Sequence, residues 1–150
     1  MRLPTNSLVL VADGRKMLLL RQTGTPNAPE LTLIHGEDQP NPADHDQKTD
    51  AAGRMPQGGT PGQSSTSETD FHQQTEDVFA RSVAEHLNAM ALQNELGDLV
   101  VVAAPRTLGQ LRKHFNKQVE DKIVGEIGKV MTGYSTDRIA AMLSEVELAA

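Results

Sequence analysis

The sequence predicts an α/β domain, single and built on a five-stranded mixed sheet: an antiparallel meander followed by parallel strands. Three observations carry this. Two short runs, Ser7–Ala12 and Leu99–Ala104, are continuously apolar, as strands buried on both faces are. Between them lies a segment with apolar residues at helical spacing, from Phe71 to Met90. The order of patterns is three strands, a long loop, a long helix, a strand, a helix, a strand and a helix, which suits a meander joined to parallel strands through helical crossovers.

The first strand, Ser7-Leu8-Val9-Leu10-Val11-Ala12, ends at Asp13-Gly14. That dipeptide signals a tight hairpin, since glycine tolerates the positive φ of a type I′ turn. Lys16 to Arg21 reads as the returning strand. Ala28 to His35 reads as a third, with Ile34 out of phase with Leu31 and Leu33, so a bulge is expected near its end. The stretch Asp38–Asp70 belongs to no core. It holds four of the eight prolines (Pro40, Pro42, Pro56, Pro61), the run Gln57-Gly58-Gly59-Thr60-Pro61-Gly62-Gln63, and Met55 as its one large apolar residue. A loop this long inside a compact domain is usually functional or disordered, and this one is expected to be flexible.

Ser67 or Thr69 is expected to cap the long helix, with Glu68 and Asp70 suiting the positive end of its dipole. Its stripe is Phe71, Val78, Phe79, Val83, Leu87 and Met90, and Gly97 is the expected stop. After the strand Leu99–Ala104 comes Pro105, then a short helix over Leu108–Phe115 capped by Thr107. Lys122–Ile127 reads as the last strand, with a helix from Asn116 as the competing assignment. Ser135 caps a final helix bearing Ile139, Met142, Leu143 and Val146. The expected core is Leu8, Leu10, Leu18, Leu20, Phe71, Val78, Phe79, Leu87, Val100, Val102, Leu111, Ile127 and Leu143.

Composition narrows the function. A length of 150 residues suits one domain spanning 1–150, interrupted by the loop 38–70. There is no cysteine, so disulfides and thiolate metal sites are excluded. Neither a signal peptide nor a membrane span is readable, and a soluble, cytoplasmic protein without a membrane partner is expected. A net charge of −6 argues against coating nucleic acid by bulk electrostatics, and no DNA partner is expected. The densest positive cluster is a candidate basic patch of Arg106, Arg112, Lys113 and Lys117, with His114 among them; it reads equally as the solvated side of a helix. The oligomeric state is not readable.

Constellations that carry chemistry are weak. Asp13 stands at a strand end, where ribonuclease-H-like nucleases place a metal-binding carboxylate, but it is also the natural turn residue before Gly14. Its candidate companions Asp98 and Glu126 do not converge with it on the expected elements, as two-metal chemistry demands. The five histidines are dispersed, and Asp44-His45-Asp46 is the one tight cluster with ligand chemistry. No metal, no cofactor and no catalytic residue are expected, and Gly58-Gly59 matches no phosphate-binding fingerprint.

Three segments, in order, resemble one bacterial family. Val11-Ala12-Asp13-Gly14-Arg15 is similar to its opening. The strand, proline and helix Val100–Arg112, with Arg106-Thr107-Leu108-Gly109-Gln110-Leu111-Arg112, resemble its most specific block. Val124-Gly125-Glu126-Ile127-Gly128-Lys129-Val130-Met131-Thr132 resembles its closing segment. The family is that of the host-attachment proteins, considered a bacterial branch of the archaeo-eukaryotic release-factor middle domain. The resemblance implies a ribonuclease-H-like mixed sheet. It also implies a role for the loop between meander and long helix, which in true release factors carries Gly-Gly-Gln into the peptidyl-transferase centre. Here Gly58-Gly59 is followed by Thr60, and Gly62-Gln63 stands apart. The resemblance therefore implies a non-catalytic module whose loop residues Arg54, Gln57, Gly58, Gly59, Gly62 and Gln63 contact a ribosome or a tRNA-containing complex. The alternatives are a minimal peptidyl-tRNA hydrolase using Gln63 or Gln57, and an interaction protein acting indirectly in attachment or stress.

Overall fold

A computed structural model of the protein describes residues 2–39 and 65–146, the stretch 65–70 in its backbone only. The chain runs β1 (Leu8–Ala12), β2 (Lys16–Gln22), β3 (Leu31–Asp38), α1 (Ser65–Leu92), β4 (Leu99–Ala103), α2 (Pro105–His114), α3 (Lys117–Glu120), β5 (Ile123–Ile127) and α4 (Thr136–Glu145). The strands form one sheet in the order β3-β2-β1-β4-β5. The first three pair antiparallel. β4 lies parallel to β1, in register from Leu8 opposite Leu99 to Ala12 opposite Ala103, and β5 lies parallel to β4. This is the mixed sheet that the sequence predicts.

Every residue of β1 and β4 is buried, because helices cover both faces. On one face Leu8, Leu10, Met17, Leu19, Leu99 and Val101 meet Phe79, Val83 and Leu87 of α1 and Leu108 and Leu111 of α2. On the other, Val9, Val11, Leu20, Val100 and Val102 meet Ile139 and Leu143 of α4. Each fully buried Leu or Val contributes roughly 1.5–3 kcal/mol of transfer free energy.

Several local expectations are corrected. Helix α1 begins at Ser65, so the irregular stretch ends sooner than residue 70 and Ser67 and Thr69 lie inside the helix. Consecutive Ser and Thr residues there are all competent caps, and residue type alone does not choose among them. Phe71 and Val78 are 46% and 63% exposed. The buried stripe is Phe79, Ala80, Val83, Ala84, Leu87 and Ala91, in which small alanines let the helix approach the sheet. Val78 sits just beside that stripe. Leu18 and Ile127 are partly buried against the second face.

Asn94, not Gly97, stops α1. It adopts a left-handed φ of 60°. The N–H of Glu95 bonds to Met90 O at 2.9 Å and that of Asn94 to Ala91 O at 3.1 Å, the two bonds of a Schellman motif. In α2, Pro105 occupies the first turn, where its missing N–H costs nothing, and Thr107 is buried inside the helix instead of capping it. Between α2 and β5 both assignments are realised in part: Asn116 caps the single turn α3, and β5 follows. Asn88 of α1 ties that junction down, donating to His114 O and accepting from Asn116 N at 2.9 Å each. Ser135 caps α4 as expected, accepting from Arg138 N. The bulge expected at Ile34 is present: Leu20 faces Leu33 and Leu19 faces His35, leaving Ile34 without a partner on β2.

Candidate functional site

β1 and β4 end side by side, and from there the chain diverges: β1 turns back into β2, whereas β4 leads through α2 towards β5. In open α/β sheets the crevice outside the carboxyl ends of such strands is where ligands bind. An open cleft of about 440 Å³ occupies this position, lined by Asp13, Gly14, Arg15, Lys16, Asp38, Glu76, Ala104, Arg106 and Thr107. Its size falls within the range of small-ligand sites.

The cleft is built around the β1–β2 turn. Asp13 Oδ1 accepts the N–H groups of Arg15 and Lys16, both at 2.8 Å. Asp13 Oδ2 accepts from the hydroxyl of Thr132 at 2.5 Å. This carboxylate-locked turn replaces the expected type I′ turn, since no described glycine has a positive φ. At Gly14 a Cβ would lie 2.5 Å from Cδ of Glu76, so α1 lays the end of that flexible side chain against the turn, and a larger residue at 14 would have to displace it.

Asp13 is therefore a structural residue with its oxygens engaged. Asp98 precedes β4 at the opposite end of the sheet, where its carbonyl bonds Leu8 N. Glu126 pairs with Arg112 on β5. Among the described residues, no three carboxylates meet at metal-ligand spacing. Two further acids that sequence reasoning missed, Asp38 and Glu76, line the cleft. Only the fold brings them to Asp13, and no local pattern marks them.

The cleft's cations are Arg15, Lys16 and Arg106. Arg106 Nη2 lies 3.4 Å from each carboxylate oxygen of Asp77 on α1. Among the described ion pairs none involves Arg15 or Lys16. α2 opens on the cleft with no acidic residue in its first turn, so its positive dipole end adds to these charges.

The candidate basic patch is thus divided. Arg106 faces the cleft, while Arg112 bonds Glu126 through Nε at 2.9 Å and Nη2 at 3.4 Å. The hydrogen bond to Glu126, and then its negative charge, hold the Arg112 guanidinium above its ordinary pKa. Lys117 approaches Asp121 at 3.5 Å across α3, and Lys113 is exposed. Arg54, Gln57, Gly58, Gly59, Gly62 and Gln63, like Asp44-His45-Asp46, lie outside the described residues.

The ends of that undescribed segment are informative. β3 finishes at Asp38, paired with Lys16, and Gln39 N bonds Arg15 O at 2.7 Å. The chain returns as α1, whose Glu76 touches the same turn. At 1.5 Å per residue, roughly 16 Å of helix separates Ser65 from Glu76. The described chain thus stops at the cleft's rim and resumes at Ser65, about 16 Å along α1 from Glu76.

A mixed sheet with a long segment between its meander and its long helix is the arrangement implied by the resemblance to the release-factor-like α/β domains. The chain belongs to bacterial archaeo-eukaryotic release factor family 12, whose profile matches residues 6–143, from just before β1 into the last turn of α4. No curated protein matches the sequence.

Proposed function

We propose that this protein is a non-catalytic binding module of the release-factor-like class, contacting the ribosome or a tRNA-containing complex through the segment Arg54–Gln63. One observation carries the reading: β3, which leads into that segment, ends at Asp38 on the cleft holding Arg15, Lys16 and Arg106, and α1, which follows the segment, lays Glu76 against the same cleft. Cations on the rim at which that segment begins suit an RNA backbone locally, even on a chain of net charge −6. Family membership supports a translation-related partner. The separation of Gly58-Gly59 from Gln63 by Thr60-Pro61-Gly62 favours binding over hydrolysis.

Sedimentation of lysate through sucrose at near-physiological salt tests this. Comigration with ribosomes that survives a moderate rise in salt is expected. Confinement to the light fractions would remove the ribosome from the account. The retained Gly62-Gln63 pair gives a hydrolase reading its one foothold, and release of peptide from peptidyl-tRNA that disappears on Gln63→Ala would establish it instead.

A further inference from the structure

We infer that His35, Glu37 and His86 form a transition-metal site at the seam between β3 and α1. One ligand atom from each of the three lies within 4.8 Å of the other two. They come from two elements: His35 and Glu37 are alternate residues of β3 on one face of the strand, and His86 is on α1. Nε2 of His35 and Oε2 of Glu37 are 3.0 Å apart. That is about the spacing of adjacent ligands around an ion with bonds of about 2.1 Å. The His86 ring stacks on that of His35, centroids 4.4 Å apart and planes inclined by 10°.

The setting is unusual for this helix. Elsewhere α1 meets the sheet through apolar side chains, Phe79, Val83 and Leu87. Over the edge strand the contact is two imidazoles and a carboxylate, partly buried, with the His35 and Glu37 side chains 38% and 41% exposed. That leaves an entry path from solvent and a position open to water. Two imidazole nitrogens and one carboxylate oxygen suit Zn²⁺, Co²⁺, Ni²⁺ or Cu²⁺, and not the oxygen-only shells of Mg²⁺ or Ca²⁺. Nitrogen lone pairs lie in the ring planes, so parallel rings do not aim at one point. Coordination therefore requires one ring to leave the stack, a turn about the broad χ2 torsion of histidine. Because ligation needs neutral imidazoles, protons compete with the ion.

Such an ion would clip β3, which leads into residues 40–64, to α1, which follows them. None of the three residues lines the cleft, although Glu37 adjoins Asp38 at its rim, and the site does not depend on the ribosomal reading.

The test uses the full-length chain without a histidine tag, stripped with chelator and titrated with Zn²⁺ by calorimetry and with Co²⁺ by visible absorption. One equivalent bound at micromolar affinity is expected, with Co²⁺ d–d bands, a raised Tm and loss of binding on acidification. His86→Ala and Glu37→Gln should each weaken binding about tenfold or more, and His45→Ala should leave it unchanged. Imidazole proton resonances of the unmodified protein supply a readout that no variant's folding can confound: Zn²⁺ should shift those of His35 and His86 together. No stoichiometric binding, unmoved His35 and His86 resonances, or binding abolished by His45→Ala would overturn the assignment.

Discussion

The two ends of the sheet are built on opposite plans. At the end where β1 begins, Gln22 is completely buried, and its amide makes four hydrogen bonds to backbone. It donates to Leu3 O and Thr25 O at 3.2 and 2.9 Å, and accepts from the N–H groups of Gly24 and Glu30 at 2.9 Å each. One side chain thereby closes the N-terminal segment and the β2–β3 connection over the core. At the end where β1 finishes, Asp13 plays a similar part for one turn, yet the surface beside it stays open and carries Arg15, Lys16 and Arg106. A buried amide with all its hydrogen-bonding capacity satisfied rigidifies a structure. An open rim of charges leaves room for a partner. The first end is closed by satisfied hydrogen bonds, and the second is where the proposed partner would bind.

The largest effect should come from the closed end. Gln22→Leu fills a similar volume but orphans the N–H groups of Gly24 and Glu30 and the carbonyl of Leu3, while Thr25 O keeps Ala28 N, and should cost about 3 kcal/mol in urea denaturation. A cost under 1 kcal/mol would mean that water replaces the amide and that this end is not closed. Asp13→Ala should be milder, about 2 kcal/mol, because its donors sit in a half-exposed turn and can rehydrate. If it proved as costly as Gln22→Leu, the contrast between the two ends would fail.

Arg106→Ala should cost under about 1 kcal/mol, since its ion pair with Asp77 is long and its side chain 50% exposed. Any weakening should be seen in ribosome comigration and not in Tm; the reverse pattern would make Arg106 a structural residue. Smallest of all should be the stability change on deleting residues 54–65. Loop-closure entropy varies slowly with length, so the change should stay within about 1 kcal/mol.

How far the sequence reveals this depends on how local each feature is. The all-apolar runs Leu8–Ala12 and Leu99–Ala103 announce two-sided burial by themselves, and the phase slip at Ile34 announces the bulge. Ser135 is legible as a cap because the apolar pattern of α4 begins just beyond it. Thr107 misleads because Pro105 already supplies the geometry of the first turn. Phe71 and Val78 mislead because size attracts the eye to large side chains, whereas Ala80, Ala84 and Ala91 mark the face that packs closely. Gln22 looks like an ordinary polar residue at a strand end, and its four partners are set by the path of chain segments around it. The cleft is the least legible part. Asp38, Glu76 and Arg106 are far apart in sequence and converge on Asp13 only through the crossover and the strand order.

The central claim is that the sheet is a scaffold and that residues 54–63 make the contact. Deleting residues 54–65 and following both thermal unfolding and sedimentation tests it most directly. The account predicts a variant that unfolds cooperatively near the parental Tm but has left the ribosomal fractions. A folded variant that still travels with ribosomes would contradict it.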